Sequence, residues 1–364
     1  MRIALLGDMA FLGSYARIQS QNQINSLGEV SDFLSQFDYV VGNLESPFSQ
    51  QKKTFGAKSA YICADIDNVR TLRELHVDAV TLANNHMFDF GTEGYELTKR
   101  VLDEAGISWF GSEGKELIVE KAGCRVAFDG YCCYSSNPLR CVKKGLFGVN
   151  AYNLNDAKCF IQRCNSNGFL PIIAVHAGIE HVNYPSIDHI RAARQLSMSG
   201  PFVYYGHHPH VIQGTEEYNG SLISHSLGNF CFDDVYSDIS LHPLVELTDN
   251  NRTGAVLELE IEGNKLKSWK LQTIYISKEG ILRLIEEPAT IAEFNESLKK
   301  SEANSKAYTA MRNQIISSRM NERKSARNFI WYLKRFRPRY LKIIMNAHNN
   351  AKAFDNNVLR YMKK

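Results

Sequence analysis

The chain has 364 residues, enough for one large domain with an appendage or for two domains. Its 44% hydrophobic and 22% charged residues are ordinary for a soluble globular protein. The net charge of +3 is too small to indicate a nucleic-acid-binding protein, and no stretch approaches the ~20 apolar residues of a membrane-spanning helix.

The predicted elements begin with a strand at residues 2–6, which stops at Gly7 and Asp8. The apolar run of this strand is shorter than the ~7 residues that the core of a signal peptide requires. No C-x-x-C pair occurs among the eight cysteines, so free thiols are favoured over disulfides. We therefore expect a cytoplasmic protein.

Strand and helix patterns then alternate along the chain. Apolar runs typical of buried strands open or fill the segments 38–45, 77–91, 125–131, 170–181, 201–210 and 220–230. Helical periodicity follows in 91–106, closed by Gly106, and in 187–200, opened by a Ser186 N-cap. This alternation predicts a layered α/β fold with largely parallel central strands.

The last third of the chain differs from the rest in its sequence pattern and amino-acid composition. Residues 254–276 alternate as a hairpin that turns at Gly263 and Asn264. After about residue 285, glycine and strand signals give way to Lys, Arg, Ser, Asn and Ala. We expect one domain over 1–285 and a basic, mostly helical tail over 286–364.

Ligand-type side chains stand where the predicted strands end. In open α/β sheets, functional groups collect at the carboxyl ends of the strands. Five separate strand ends supply such residues, namely Asp8, Glu45, Asn85, His86, His176, His208 and His210. We therefore expect these side chains to meet in one site.

Three histidines, His207, His208 and His210, crowd into the turn after residues 201–206. An H-x-H step at a strand end is typical of a ligand pair, because alternate residues of an extended segment point the same way. Mixed imidazole, carboxylate and amide ligands suit Mn, Fe or Zn. Six strand-end residues carry such groups, too many for one tetrahedral site, which predicts two divalent ions bridged by a carboxylate.

His86 is then free for acid catalysis. It lies beside Asn85 in the same turn and can protonate a leaving group, with Asp89 orienting its ring. Glu180 and His181 are candidates for contacting the substrate.

Other neighbours of the predicted ligands have structural alternatives. Asn43, Asn84, His207 and Asn229 are candidates for substrate contacts or for supporting the ligands. Several of the predicted site positions also have a purely structural interpretation. Asp8 can cap a helix, Asn84 and Asn85 can form a turn pair, and Asn229 can shape a turn.

Six segments, in this order, resemble the CapA family: "LLGDMAF", "VVGNLESPF", "TLANNHMFDFG", "AVHAGIEH", "YGHHPHV" and "SHSLGNF". The resemblance covers roughly residues 1–245. It implies a calcineurin-like metallophosphoesterase fold, a four-layer α/β/β/α sandwich, and a link to bacterial capsule or poly-γ-glutamate synthesis.

The resemblance also implies a role for each strand-end residue. Asp8 and His210 resemble ligands of a first metal, Glu45 resembles the bridging carboxylate, and His86 resembles the proton donor. The second-metal ligands are then Asn85, His176 and His208, with His207 supporting them.

The sequence departs from the metallophosphoesterase pattern at four positions. Ala10 stands where the pattern has a histidine ligand, and Glu45 replaces the usual aspartate. Asp89 lies three residues past His86 rather than one, and Ala177 replaces a tryptophan. One metal position can therefore be weak or vacant.

Residues 319–345 combine many lysines and arginines with Phe329, Ile330, Trp331, Tyr332, Leu333, Phe336, Tyr340 and Leu341. Such a segment can lie on anionic lipid, which predicts peripheral membrane contact. The alternatives are a helix packed on the core or on a partner subunit, and RNA binding, for which no recognised module is present.

These features together predict a metal-dependent hydrolase of capsule or surface-polymer synthesis. Its substrate would be an anionic polymer, poly-γ-glutamate or polysaccharide, or a phosphoester, cut by activated water at a phosphoester or amide-type bond. One alternative is a non-catalytic assembly or transport factor that binds polymer, and the other is a generic phosphodiesterase.

Overall fold

A computed structural model describes residues 1–16, 27–58, 60–236, 243–325 and 338–362. Within these ranges the strands are β1 (Arg2–Met9), β2 (Tyr39–Leu44), β3 (Ala79–Thr81), β4 (Ser108–Phe110), β5 (Leu117–Lys121), β6 (Cys124–Cys132), β7 (Cys141–Val142), β8 (Val149–Asn150), β9 (Leu170–His176), β10 (Val203–His207), β11 (Thr215–Tyr218), β12 (Ser221–Ser224), β13 (Asn229–Cys231), β14 (Thr253–Glu262), β15 (Lys265–Ile276) and β16 (Leu282–Ile285).

The helices of the same ranges are α1 (Gly28–Leu34), α2 (Val69–Glu74), α3 (Gly91–Ala105), α4 (Leu154–Ser166), α5 (Ile187–Leu196), α6 (Asp249–Arg252), α7 (Ala289–Lys300), α8 (Ser305–Ser325), α9 (Pro338–Phe354) and α10 (Arg360–Met362).

Two large mixed sheets form the centre of the described part of the chain. The first has the order β16-β15-β14-β1-β2-β3-β4, with β13 also paired to β1. Strands β1, β2, β3 and β4 run parallel, while β14, β15 and β16 add antiparallel strands at one edge. The second sheet has the order β11-β12-β10-β9-β6-β5, with β6, β9, β10 and β12 parallel.

The core consists of three apolar layers that separate two sheets and two sets of helices. Leu5 and Val41 of the first sheet pack between the sheets against Phe128 and Ile172 of the second. On the outer face of the first sheet, α1, α2 and α3 contribute Leu34, Leu72 and Leu102 to a second cluster. On the outer face of the second sheet, α4 and α5 contribute Phe160, Ile161 and Leu196 to a third. The predicted four-layer α/β/β/α architecture is confirmed.

Local signals in the sequence are also confirmed. Gly106 ends α3 in the left-handed region, with φ of 74°. The Ser186 side chain accepts a hydrogen bond from the backbone amide of His189 and so caps the N-terminus of α5. Strands β14 and β15 pair as the expected hairpin around Gly263 and Asn264.

The C-terminal region contains helices, as predicted, and parts of it pack against the rest of the chain. Tyr308 of α8 and Leu298 of α7 form a small buried cluster with Ile190 of α5. Val358 is fully buried in the cluster on the outer face of the second sheet. The domain division at residue 285 stays a prediction.

The predicted membrane segment, 319–345, falls largely outside the described part of the chain. Residues 326–337, which include most of its aromatic side chains, lie in that gap. Among the described residues, no helix combines the length and apolarity needed to cross a membrane.

Candidate metal centre

The predicted site forms where strands of both sheets end next to each other. In the first sheet, Asp8 of β1 lies in register with Asn43 of β2 and Asn229 of β13. In the second sheet, His207 at the end of β10 lies beside His176 at the end of β9. The strand-end rule therefore brings together residues that are far apart in the chain.

Asp8 links the two sheets. Its carboxylate Oδ1 accepts a hydrogen bond from Asn43 Nδ2 (2.8 Å), and Oδ2 accepts one from the backbone amide of His208 (3.0 Å). Nδ1 of His207 lies 3.0 Å from Oδ1, and Nδ1 of His210 lies 3.4 Å from Oδ2. Burial raises the pKa of the Asp8 carboxyl, but the contact with His207 and the neighbouring histidines outweigh it, so the pKa lies far below its usual range.

Glu45 has a different environment. It is fully buried, yet neither carboxylate oxygen receives a hydrogen bond from the described residues. Nε2 of His176 and Nε2 of His210 each lie 3.7 Å from Oε1, beyond hydrogen-bond distance. Burial raises the pKa of Glu45 well above its usual value, and the negative charge of Asp8 adds to this effect.

Glu45, His208 and His210 form the group that can hold a cation. One ligand atom from each lies within 4.8 Å of the others, and all three residues are buried. Nδ1 of His208 is buried without a hydrogen-bond partner among the described residues, and burial lowers the pKa of His208 to about 4. Nδ1 of His210 can donate to Oδ1 of Asn229 (2.9 Å), which leaves its Nε2 lone pair facing Glu45.

His176 and Asn85 lie at the edge of this group. Nε2 of His176 lies 2.8 Å from Oδ1 of Asn85, and the His176 ring lies 4.8 Å from the His208 ring. Burial first, and then His208, hold the pKa of His176 well below its usual value. The ring is therefore neutral, which is the form that binds metals.

The turn that carries the histidines has an unusual backbone. His208 and His210 have φ of 94° and 55°, in the left-handed region that non-glycine residues rarely adopt. The preceding Gly206 cannot be larger, because an added Cβ would lie 1.8 Å from the His225 carbonyl oxygen. Strained backbone that the surrounding fold maintains is common at functional sites.

His86 forms a second group with Asp89 and with Lys58, which the sequence analysis does not predict as a site residue. Nδ1 of His86 lies 2.6 Å from Oδ2 of Asp89, as predicted from their spacing. The buried Lys58 donates to Oδ1 of Asp89 (2.9 Å) and to the Asn85 carbonyl (2.7 Å), and its Nζ lies 3.0 Å from Nδ1 of His86. Burial lowers the pKa of His86, and Asp89 partly opposes this effect.

The supporting residues occupy two places. Asn84 donates to Oδ1 of Asn43 (3.1 Å) and to the Leu44 carbonyl (2.8 Å), which fixes the 84–86 turn beneath the ligands. On the other side, Asn251, also absent from the sequence prediction, lies 2.7 Å from Nδ1 of His181 and donates to the His210 carbonyl. The side chain of Glu180 is 42% exposed, at the solvent side of His181.

The donor set fits a divalent transition metal. An isolated buried carboxylate is costly, so the unpartnered oxygens of Glu45 call for a positive partner. The nearest side chains are the imidazoles of His176 and His210, and imidazoles together with a carboxylate suit Mn, Fe or Zn. The predicted ligands therefore lie together, while their individual roles stay predictions.

Comparisons with known proteins agree with the capsule-linked resemblance. The family model "Bacterial capsule synthesis protein PGA_cap" matches residues 2–234. The chain is 30% identical over 240 residues to the PGA biosynthesis protein CapA of Bacillus subtilis (strain 168), covering 63% of each chain. It is 28% identical over 245 residues to the capsule biosynthesis protein CapA of Bacillus anthracis, covering 63% of this chain and 59% of that protein. The chain thus spans less than two thirds of either relative.

Similarity to solved structures is more distant. The 5'-nucleotidase of Candida albicans SC5314 is 12% identical, with a TM-score of 0.44 over 88% of this chain and 57% of that chain. A hypothetical protein from Thermus thermophilus is 15% identical, with a TM-score of 0.43 over 75% of this chain and 98% of that chain.

Proposed function

The chain belongs to the bacterial capsule synthesis protein family PGA_cap, and from this membership we propose that it is a metal-dependent hydrolase in the synthesis of a capsule or another surface polymer. The observation that supports hydrolysis best is the buried carboxylate of Glu45, whose oxygens accept no hydrogen bond from the described residues and which lies within reach of one cation together with His208 and His210. The bond cleaved would be a phosphoester or an amide-type bond.

Glu45, His208 and His210 would hold the ion, with Asn85 and His176 beside them. A bound divalent cation supplies Lewis-acid polarisation of the scissile group and water of lowered pKa.

His86 would deliver the proton that the leaving group requires. Asp89 and Lys58 hold the ring through its Nδ1 side, so Nε2 is the nitrogen that can face a substrate. A protonated ring whose pKa is lowered by burial is a strong acid, and a bound phosphate or carboxylate beside it would favour that protonated form. Water adds to the phosphorus or carbonyl carbon as the bond to the leaving group breaks, and the departing oxygen or nitrogen takes the proton from Nε2. The attacking water loses one proton to solvent, and the ring regains a proton from solvent before the next turnover.

The test uses the full chain supplied in turn with Mn²⁺, Fe²⁺ and Zn²⁺, and offered chromogenic phosphoesters and poly-γ-glutamate. We expect hydrolysis with at least one ion, and a rate about 10²- to 10⁴-fold lower for His86→Ala at unchanged metal content. The exposed His348 provides the matched control, since His348→Ala should keep the full rate.

The result also separates the alternatives. Hydrolysis of simple phosphoesters without polymer cleavage would favour a generic phosphodiesterase. No turnover with any ion, combined with retained polymer binding by both wild type and His86→Ala, would refute the hydrolase and favour a non-catalytic assembly factor.

A further inference from the structure

The carboxylate of Asp8 already accepts a hydrogen bond from each sheet and has two histidine ring nitrogens close by. Each carboxylate oxygen has two lone pairs, so the group can accept about four contacts. Asn43 Nδ2 and His207 Nδ1 lie within 3.0 Å of Oδ1. The His208 amide and His210 Nδ1 occupy the corresponding positions around Oδ2, at 3.0 and 3.4 Å. A metal ion bound to Asp8 would have to share the carboxylate with these groups.

The position two residues beyond Asp8, where the metallophosphoesterase pattern has a histidine ligand, holds an alanine. Ala10, two residues along, is fully buried in an apolar cluster whose other buried members are Ile62, Phe232, Val235 and Leu247. The Phe232 ring also packs on the ring of His210, with 4.7 Å between their centroids. This position therefore supplies carbon atoms instead of the oxygen or nitrogen donor that a second ion would need.

Glu45 has the opposite character. Its oxygens lack hydrogen bonds from the described residues, and it lies with His208 and His210 in the one group of three donors found among those residues. Asp8 accepts hydrogen bonds from both sheets, whereas Glu45 accepts none from the described residues, and this contrast favours Glu45 as the ligand of a cation.

From this contrast we infer that the site holds one divalent cation, bound by Glu45, His208 and His210, and that Asp8 is a positioning residue. Asp8 fastens the 207–210 turn of the second sheet to β1 of the first, through the His208 amide and the two flanking imidazoles. The inference rests on the cation and the three ligands of the proposed function, but not on hydrolysis.

The first measurement uses the wild-type full chain, stripped with EDTA and reloaded with Mn²⁺. We expect one equivalent by elemental analysis and the electron paramagnetic resonance spectrum of an isolated Mn²⁺ ion. Two equivalents, or the spectrum of an exchange-coupled pair, would overturn the inference while leaving a hydrolase possible. One equivalent without any hydrolysis would support the inference and count against the proposed function.

Variants then separate the ligand from the positioning residue. Glu45→Gln should lose the bound Mn²⁺. Asp8→Asn should keep one equivalent with about 10- to 100-fold weaker affinity, the usual effect of removing a group that orients a ligand. Asp129→Asn, which alters an equally buried aspartate of β6, should leave Mn²⁺ affinity unchanged. Loss of Mn²⁺ from Asp8→Asn at native circular dichroism would contradict the inference, and if that variant fails to fold, the wild-type spectrum still decides.

Discussion

Replacing Lys58 with methionine tests whether a buried ion pair fixes the turn that carries His86. The Lys58 side chain is 6% exposed and Asp89 is fully buried, with 2.9 Å between Nζ and Oδ1. Removing one partner of a buried pair costs about 3–5 kcal/mol because the remaining charge is left uncompensated.

The lower end of that range applies here. Asp89 keeps two other contacts, the Ile62 amide at 2.9 Å and Nδ1 of His86 at 2.6 Å. We therefore expect Lys58→Met to lower the free energy of unfolding by about 3 kcal/mol, together with the loss of the donor to the Asn85 carbonyl.

Urea unfolding of metal-free protein measures this change. Lys267→Met is the control, because Lys267 pairs with Glu260 at a similar 3.0 Å but on the surface, and should change stability little. A double-mutant cycle with Asp89→Asn should give a coupling of about 1–3 kcal/mol. Additive effects of the two changes, or a loss no larger than that of the control, would refute the reasoning.

The same pair predicts a pH dependence. Burial raises the pKa of Asp89, but His86 and Lys58 outweigh it, so the pKa in the folded protein lies below the value of 3.8 expected for the unfolded chain. The stability that Asp89 contributes is therefore present above pH 3.8 and is lost as the pH falls through the lowered pKa. In Lys58→Met this acid loss should begin at higher pH.

Three further predictions concern the carboxylate, the turn and the tail. The pKa of Glu45 is raised in the folded protein, so the stability that this group contributes is lost as the pH rises from 4.5 through the raised pKa. Metal-free Glu45→Gln should therefore have a higher melting temperature than wild type at neutral pH. Added Zn²⁺ should not raise the melting temperature of this variant. Gly206→Ala should cost about 3 kcal/mol or more in urea unfolding, because its Cβ would meet the His225 carbonyl, whereas Gly28→Ala, with open space around it, should be nearly neutral. Residues 319–345 carry nine lysines and arginines and one glutamate, so the chain should sediment with phosphatidylserine vesicles. A variant with Arg323, Lys324 and Arg327 changed to glutamine should bind these vesicles at least about 10-fold more weakly. Unchanged binding would refute membrane contact.

Most of the fold follows from two patterns in the sequence, the apolar runs of buried strands and the helical spacing of apolar residues. The long buried strands β1, β6 and β9 and the capped helices α3 and α5 lie where apolar runs and cap residues place them. Strands β4 and β16 have only three and four residues, too few for a pattern to be recognised. They exist because β3 and β15 offer open edges, which is information that only the assembled sheet contains.

The site is predictable to the extent that strand ends determine it. All predicted ligands lie together because the carboxyl ends of β1, β2, β3, β9 and β10 meet where the two sheets face each other. Lys58 could not be predicted in this way, since it belongs to an irregular segment and meets Asp89, 31 positions further along the chain, only in the folded protein.

Asp8 and Glu45 show what spacing alone leaves undecided. Each is a carboxylate directly after or at the end of a buried strand, and any pattern that identifies one as a ligand identifies the other equally well. Their difference arises from hydrogen-bond satisfaction, because the fold supplies Asp8 with donors from both sheets and leaves the oxygens of Glu45 without any among the described residues. A buried acceptor without a donor is costly, so the position of a cation follows from the acceptors that the chain itself leaves unsatisfied.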